Sequence, residues 1–521
     1  MTTPPPAPRR ESISTLLFWA LLLAISAWAF REMLFALPQG IQAWPQADRF
    51  SVTLNFYDRG MNLFVPMIHN IQGNPQGITP SELPLIGYLA AAFGFLTGRE
   101  TISALNRLFT LIVSAIGMVA LFRFVLRRTS DAAWATLAGL FVFVAPVFLF
   151  FAGTYLHDAA ACGLLLVALS EFFEHHRERP SAALAKGSAW ALIATLIKAS
   201  SGVYLFTIWI VGGLSLVQRR RSATRREWID AALVIGASLA LLVAYGLELR
   251  WLSSRGTSAF NYALIPRIAS FADLELVLRF LYSNWVPEYL TVLQVGIWFA
   301  ALVPASIVWL DDPTSRDRPR LVFLLISALG SVAFFFLFAK RFINHEYYAI
   351  APLYPWLALA FVTALETLYP RLESRRTRPI VVALIAAMVL LSLYHHGQRV
   401  HDERLDHPFT VKKLAWMRNG DLLLAKLGVP RDACITVVGE SAPNLALVHF
   451  DRRGVVLPLE HALRSKAAVQ RVVAQYHCPT LIVRHRVARL YARVHPKEIA
   501  RWTALGGTSR VLVFRLGSSG R

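Results

Sequence analysis

Apolar residues along this chain come mainly in long unbroken runs, not in the strict alternation or one-sided helical spacing of a water-soluble domain. A helix needs roughly 17–25 such residues to cross a bilayer. Runs of that length fall at about 13–30, 104–125, 132–152, 155–173, 182–199, 201–217, 228–248, 289–310, 320–339, 347–367 and 379–395. The pattern predicts an all-α polytopic membrane protein with about eleven transmembrane helices. The first run follows a short Pro-rich segment, MTTPPPAPRRES, and reads as an uncleaved span. One apolar stretch, 84–97, reaches only about 21 Å as a helix, too short to cross. With Ser81 as a cap candidate and Pro84 at its start, it reads as a helix lying along the interface.

Charge orients these spans. The chain has 521 residues, 55% hydrophobic and only 16% charged, with a formal net charge of +21. That composition excludes disorder, and 3 Cys exclude a small disulfide scaffold. The excess charge does not point to nucleic acid, because the basic residues fall between apolar runs. With 84–97 not crossing, 20 of the 53 basic residues collect in six short loops on one side, such as Arg219–Arg220–Arg221 and Arg375–Arg376. The positive-inside rule makes that side cytoplasmic. The N-terminus is then cytoplasmic, and the outer face carries the 37–99 region, the 250–288 region and the tail.

The tail, from about 396, changes texture. CITVVGE, GVVLP, TLIVRH and RVLVFRL are strand-like, and 461–475 and 487–502 are helix-like. Residues 396–521 therefore read as a small extracytoplasmic α/β domain, after a cytoplasmic tail (1–12) and a membrane domain (13–395). Cys162 lies inside a span and reads as packing. Cys434 and Cys478 flank predicted strands; a disulfide is open to them on the outer side, and two buried thiols are the simpler alternative. No internal repeat is seen.

Ionisable residues within membranes usually mark function, and here they cluster at the outer ends of spans. They are Asp48 and Asp58 after the first span, Glu82 before the interfacial helix, and Arg107 opening the second span. His157 and Asp158 stand between the third and fourth spans, and Lys198 ends the fifth. Lys340, Arg341, His345 and Glu346 separate the ninth and tenth. A transporter would place such groups near the midplane, on broken helices. Cations suit a phosphate and carboxylates suit proton removal, so the pattern points to chemistry on a lipid-phosphate head group at the outer face. Neither a phosphate loop, a Ser elbow, HExxH nor CxxC is present.

The stretches ADRFSVTLNFYDRGMNLFVPMIHN (47–70), SELPLIGYLAAAFGFLTG (81–98) and LNRLF (105–109), with TYLHDAAA around Asp158, LIKASSG around Lys198 and NHEYYAIAPLYP (344–355), resemble the C-type (GT-C) membrane glycosyltransferases. The nearest branch is the bacterial relatives of protein O-mannosyltransferases and of lipid A aminoarabinose transferase. The resemblance runs over roughly 40–370. The family's Asp after the first span falls on Asp48, its Glu–Pro–Leu element on Glu82, Pro84 and Leu85, and its Arg–Leu pair on Arg107 and Leu108. Its acidic pair at the fourth span is represented by Asp158, with His157 where Pro is usual. Its His–acid–Tyr–Tyr element falls on His345, Glu346, Tyr347 and Tyr348. Arg49 is a departure, standing where an acidic residue or Thr is common.

The resemblance implies a GT-C-like fold in a bacterial inner membrane and transfer of a sugar, with inversion, from a polyprenyl-phosphate donor to an outer-face lipid, glycan or protein hydroxyl. Asp48 is the expected base. Lys198, Arg107 and His345, with Glu346 and Tyr347 beside them, are the expected phosphate group, and Asp158 and Glu346 orient acceptor or cation. Glu82, His157, Lys340 and Arg341 are supporting residues. No cofactor is required, and the family leaves room for a divalent metal. A lipid-glycan flippase is the alternative function, and a non-catalytic scaffold presenting the tail a third.

Overall fold

The computed structural model describes residues 8–220, 223–256, 268–312, 317–372, 377–402, 414–465 and 467–516. The Pro-rich start and the loop residues Arg221, Arg316, Arg375 and Arg376 lie outside them. The chain folds as two compact units. One comprises Met1–Leu34, Arg107–Tyr245 and Ala263–Gln398, the other Phe35–Asn106, Gly246–Tyr262 and Arg399–Arg521.

Nine helices among the described residues are long and apolar enough to cross a membrane, from Arg9–Phe30 to Thr377–His401. A tenth arises if Ala132–Phe143 and Pro146–Ala152, bent by 76°, count as one span. Pro146 carries no N–H, so the ladder breaks there. The eleventh expected span exists as the helix Asp158–His175 but is less apolar, carrying Asp158, Glu171 and Glu174. It can afford these acids because protein surrounds it: nearly every residue from Asp158 to Phe173 is buried. By contrast Leu23, Leu233, Val292, Leu325 and Leu390 are exposed, the arrangement lipid demands. Helices Ile102–Thr129 and Asp158–His175 touch backbone to backbone. A Cβ on Gly117 would stand 2.2 Å from the Gly163 carbonyl oxygen, so only glycines allow the approach.

The short basic loops meet at one end of this unit. Arg123 and Arg127 pair with Glu11, and Arg127 also reaches Glu174. Arg320, almost fully buried, takes Asp317 at 3.2 Å and Glu366 at 2.5 Å. Arg128 reaches Glu366, and Arg177 reaches Asp317. Arg219 donates to the Arg177 carbonyl, and Arg378 pairs with Asp131. Loops that charge statistics put on one side thus share an ion-pair network, and the Asp158–His175 helix runs between that network and the opposite end.

In the second unit, the helix Ala43–Arg59 packs against the helix Leu85–Thr97 and against the short helix Leu445–His449. The sequence reading treated 37–99 as a loop and missed the first of these. Leu85–Thr97 is the expected short apolar helix, but Ser81 does not cap it; Pro84 occupies the cap position without a side-chain bond.

The tail forms a five-stranded sheet of β1 (Ile435–Val438), β2 (Gly454–Leu457), β3 (Thr480–Arg484), β4 (Trp502–Gly507) and β5 (Val511–Leu516), in the order β2-β1-β3-β5-β4. The first three are mutually parallel, and β5 is antiparallel to β3 and β4. The expected helix at 461–475 is divided into Leu459–Arg464 and Ala468–Tyr476, and that at 487–502 into His485–Val494 and Pro496–Ile499, the latter cut by Pro496. Pairing of Ile435 with Thr480 brings Cys434 beside Cys478, and the two form a disulfide, not the pair of thiols favoured by the sequence.

Closing a loop of 44 residues with this bond contributes about 2–4 kcal/mol. Cys434→Ser, or full reduction, should lower the thermal midpoint of the purified protein in detergent by several degrees, and the reductant should not affect Cys434→Ser further.

Candidate functional site

In the membrane unit, the break at Pro146 delivers residues 153–158 to the end opposite the basic network. Arg107, almost fully buried, donates to the Gly153 carbonyl at 2.8 Å and lies over the Tyr155 ring at 4.2 Å. Asp158 opens its helix, where the dipole favours a negative charge. It does not cap the helix; His157, also buried, holds that position, and no side-chain cap is made. Lys198 sits where the helix Pro180–Ile197 ends, and its Nζ is 3.0 Å from Asp158 Oδ1. The ammonium also faces the Tyr348 ring at 4.7 Å and the Tyr347 ring at 5.7 Å. Tyr347 in turn packs on Phe151.

Asp158, Lys198, Tyr347 and Tyr348 are therefore brought together. His345 joins them through ring contacts with both tyrosines. Its Nδ1 lies 3.0 Å from the Arg341 carbonyl, which can only accept, so Nδ1 carries the proton and Nε2 is an acceptor. Burial holds the imidazole down to about 4, helped by the Arg341 and Lys198 charges and opposed by that carbonyl. It is neutral at pH 7, not the cation expected of it. Glu346 is fully buried. Lys340 is drawn to Asp273 at 3.0 Å, and Arg341 contributes its backbone carbonyl to His345.

In the other unit, Asp48 lies on the Ala43–Arg59 helix and is 5% exposed. Its Oδ1 accepts from Asn444 Nδ2 at 2.8 Å. Burial raises the carboxyl to about 7, against the opposing effects of Asn444, the Arg49 charge and a Trp44 hydrogen bond. Arg49, the departure noted above, pairs with Glu82 and donates to Ser81 Oγ at 2.8 Å. Asp58 is exposed at the end of the Ala43–Arg59 helix, where it makes an ion-pair chain with Arg99, Asp451 and Arg431.

Sequence reasoning missed Asn444, Ser51, His69 and Tyr155. Asn444 is 396 positions from Asp48, and no spacing links them. Among the described residues no three His, Cys, Asp or Glu side chains gather as a metal site. The donor set of the described residues does not fit a metal held by protein alone.

No protein-family model matches the chain, and comparison with curated protein sequences finds no match. Solved structures do. ArnT from Cupriavidus metallidurans bound to undecaprenyl phosphate matches over 97% of this chain and 98% of its own, with a TM-score of 0.61 and 14% identity. The fold is ArnT-like. Apo ArnT from the same organism matches over the same shares, with a TM-score of 0.51 and 15% identity. The arabinofuranosyltransferase AftD from Mycobacteria, as the R1389S mutant, matches all of this chain and 42% of its own, with a TM-score of 0.52 and 11% identity. The C-type architecture implied by the sequence is thus present in a multi-pass membrane protein with a small mixed sheet in its tail.

Two stability tests follow from these environments. Lys198→Met leaves a buried carboxylate without its cation and should cost about 3 kcal/mol, most of it recovered when Asp158→Asn is added, as read from thermal unfolding in detergent. The second test concerns Asp48. Its carboxyl ionises near 3.8 when unfolded and near 7 when folded, so the folded state keeps a proton that the unfolded state releases. Stability is lost as pH rises through that window. Asp48→Asn should match the parent near pH 4 and exceed it at pH 8, by up to about 4 kcal/mol.

Proposed function

We propose that this protein is an inner-membrane glycosyltransferase that moves a sugar from a polyprenyl-phosphate donor to a hydroxyl of a lipid, glycan or protein on the outer face. The observation that carries the reading is the buried carboxyl of Asp48, raised to near neutrality, in a chain with an ArnT-like fold. A general base works best when its pKa lies near the working pH. The ArnT structure holding undecaprenyl phosphate supports the donor class.

In the proposed reaction the acceptor O–H gives its proton to Asp48. The acceptor oxygen bonds to the anomeric carbon as the bond from that carbon to the phosphate oxygen breaks, and the polyprenyl phosphate leaves with the electron pair. One displacement inverts the centre. Lys198 and Arg107 stabilise the departing phosphate. Asp158 holds Lys198 in place, and Glu346 is the further carboxylate assigned to orientation. Tyr347 faces Lys198, His157 precedes Asp158 at the helix start, and Glu82 pairs with Arg49 beside the base. The disulfide suits an oxidising outer compartment for the tail, and with the basic loops it supports the reading of a cytoplasmic N-terminus.

The test uses the purified full chain in nanodiscs with a panel of radiolabelled undecaprenyl-phosphate sugars. Release of undecaprenyl phosphate with transfer of label is expected from the parent. Asp48→Asn should fold and insert normally and lose about 10²–10⁴-fold in rate. Near-parental turnover by that variant removes Asp48 as the base, and movement of intact donor without cleavage replaces the enzyme with a flippase.

A further inference from the structure

The tail contributes one fully buried polar side chain to the surroundings of Asp48. Asn444 stands between β1 and the helix Leu445–His449 and is 0% exposed. Its Nδ2 donates to Asp48 Oδ1 at 2.8 Å, and its Oδ1 accepts the Asn70 backbone N–H at 3.0 Å. A backbone N–H can only donate, so the amide orientation is fixed: oxygen toward Asn70, nitrogen toward Asp48. The Ser51 hydroxyl stands between Asn444 Oδ1 at 3.3 Å and His69 Nδ1 at 2.8 Å, while Ser51 Oγ accepts the His69 backbone N–H at 2.7 Å. Asn55 Nδ2 donates to the same His69 nitrogen at 3.1 Å. The segment carrying His69 and Asn70 is itself fastened to the edge of the sheet. Gly454 N–H donates to the His69 carbonyl at 3.0 Å and Ile71 N–H to the Gly454 carbonyl at 2.9 Å.

We propose that Asn444 is a positioning residue for the base, and that the tail domain exists in part to supply it: the amide, oriented by Asn70 and Ser51, holds the Asp48 carboxylate and favours its charged form. This rests on Asp48 being the base. The amide is a dipole and not a cation, so it steadies the carboxylate without dragging its pKa down as an arginine partner would. Among the described residues, the charge acting on Asp48 is that of Arg49, which is engaged by Glu82. His69, beyond Asn444, is held neutral by burial. On the packed short helix, His449 lies against the Pro38 carbonyl.

The experiment is the pH–rate profile of undecaprenyl-phosphate release for the parent, Asn444→Leu, Ser51→Ala and Ser51→Thr, with folding checked by thermal unfolding. Loss of the donor disfavours the carboxylate, so the acid limb of Asn444→Leu should move up by about one pH unit, with rate recovering at high pH. Ser51→Ala should shift the same way by less, and Ser51→Thr should restore the parental midpoint. If Asn444→Leu fails to fold, the Ser51 pair carries the test alone. A pH-independent loss with unmoved midpoints overturns the positioning role while leaving the base in place. An active Asp48→Asn instead overturns the base, and the positioning role with it.

Discussion

A carboxylate withdrawn from water has three ways out: a cation, a set of dipoles, or a proton. Much of the functional reading follows from which of these Asp48 is allowed. Its neighbour Arg49 is committed to Glu82 and Ser81. What reaches Asp48 directly is the Asn444 amide and the Trp44 indole. Dipoles alone do not repay the burial, so the group sits where gaining or losing a proton is nearly balanced at neutral pH. An acid so placed is costly for the fold and useful for chemistry.

The membrane unit solves the same problem differently. Asp158 is given Lys198 at 3.0 Å and the field of its own helix, and Lys198 is further steadied by the faces of Tyr347 and Tyr348. Here the carboxyl is met by a cation and not by dipoles alone. The cations of this unit suit an anionic leaving group, whereas Asp48, without a committed cation, suits proton transfer. Under the proposed function, two buried aspartates of the same chemistry take different roles through their partners.

The helical skeleton was legible because lipid imposes a length and a composition, and both are visible in a single chain. The clustering of Asp158, Lys198 and the Tyr347–Tyr348 pair was legible in part, since polar residues at the ends of apolar runs stand out. What stayed hidden depends on tertiary pairing. The Ala43–Arg59 helix is mostly buried against protein and mixes polar and apolar positions, so it lacks a clear stripe. β4, WTALGG, has neither alternation nor β-branched enrichment and is a strand because β5 pairs with it. The run 155–173 has spanning length, but that its acids are tolerated by burial against protein is visible only in the fold. The charge expected on His345 was lost to desolvation, which residue type alone does not show. Asn444 meets Asp48 through tertiary structure, with the 69–71 segment bonded to the sheet edge at Gly454.

The most direct measurement is a titration of the Asp48 carboxyl itself, by carbon NMR of protein labelled at aspartate side chains, with Asp48→Asn used to assign the signal. The account predicts a midpoint near 7 in the folded protein. A midpoint at the ordinary aspartate value of about 3.8 would contradict it, because a carboxyl that is fully ionised and well satisfied across the neutral range is a structural acid and not a poised base.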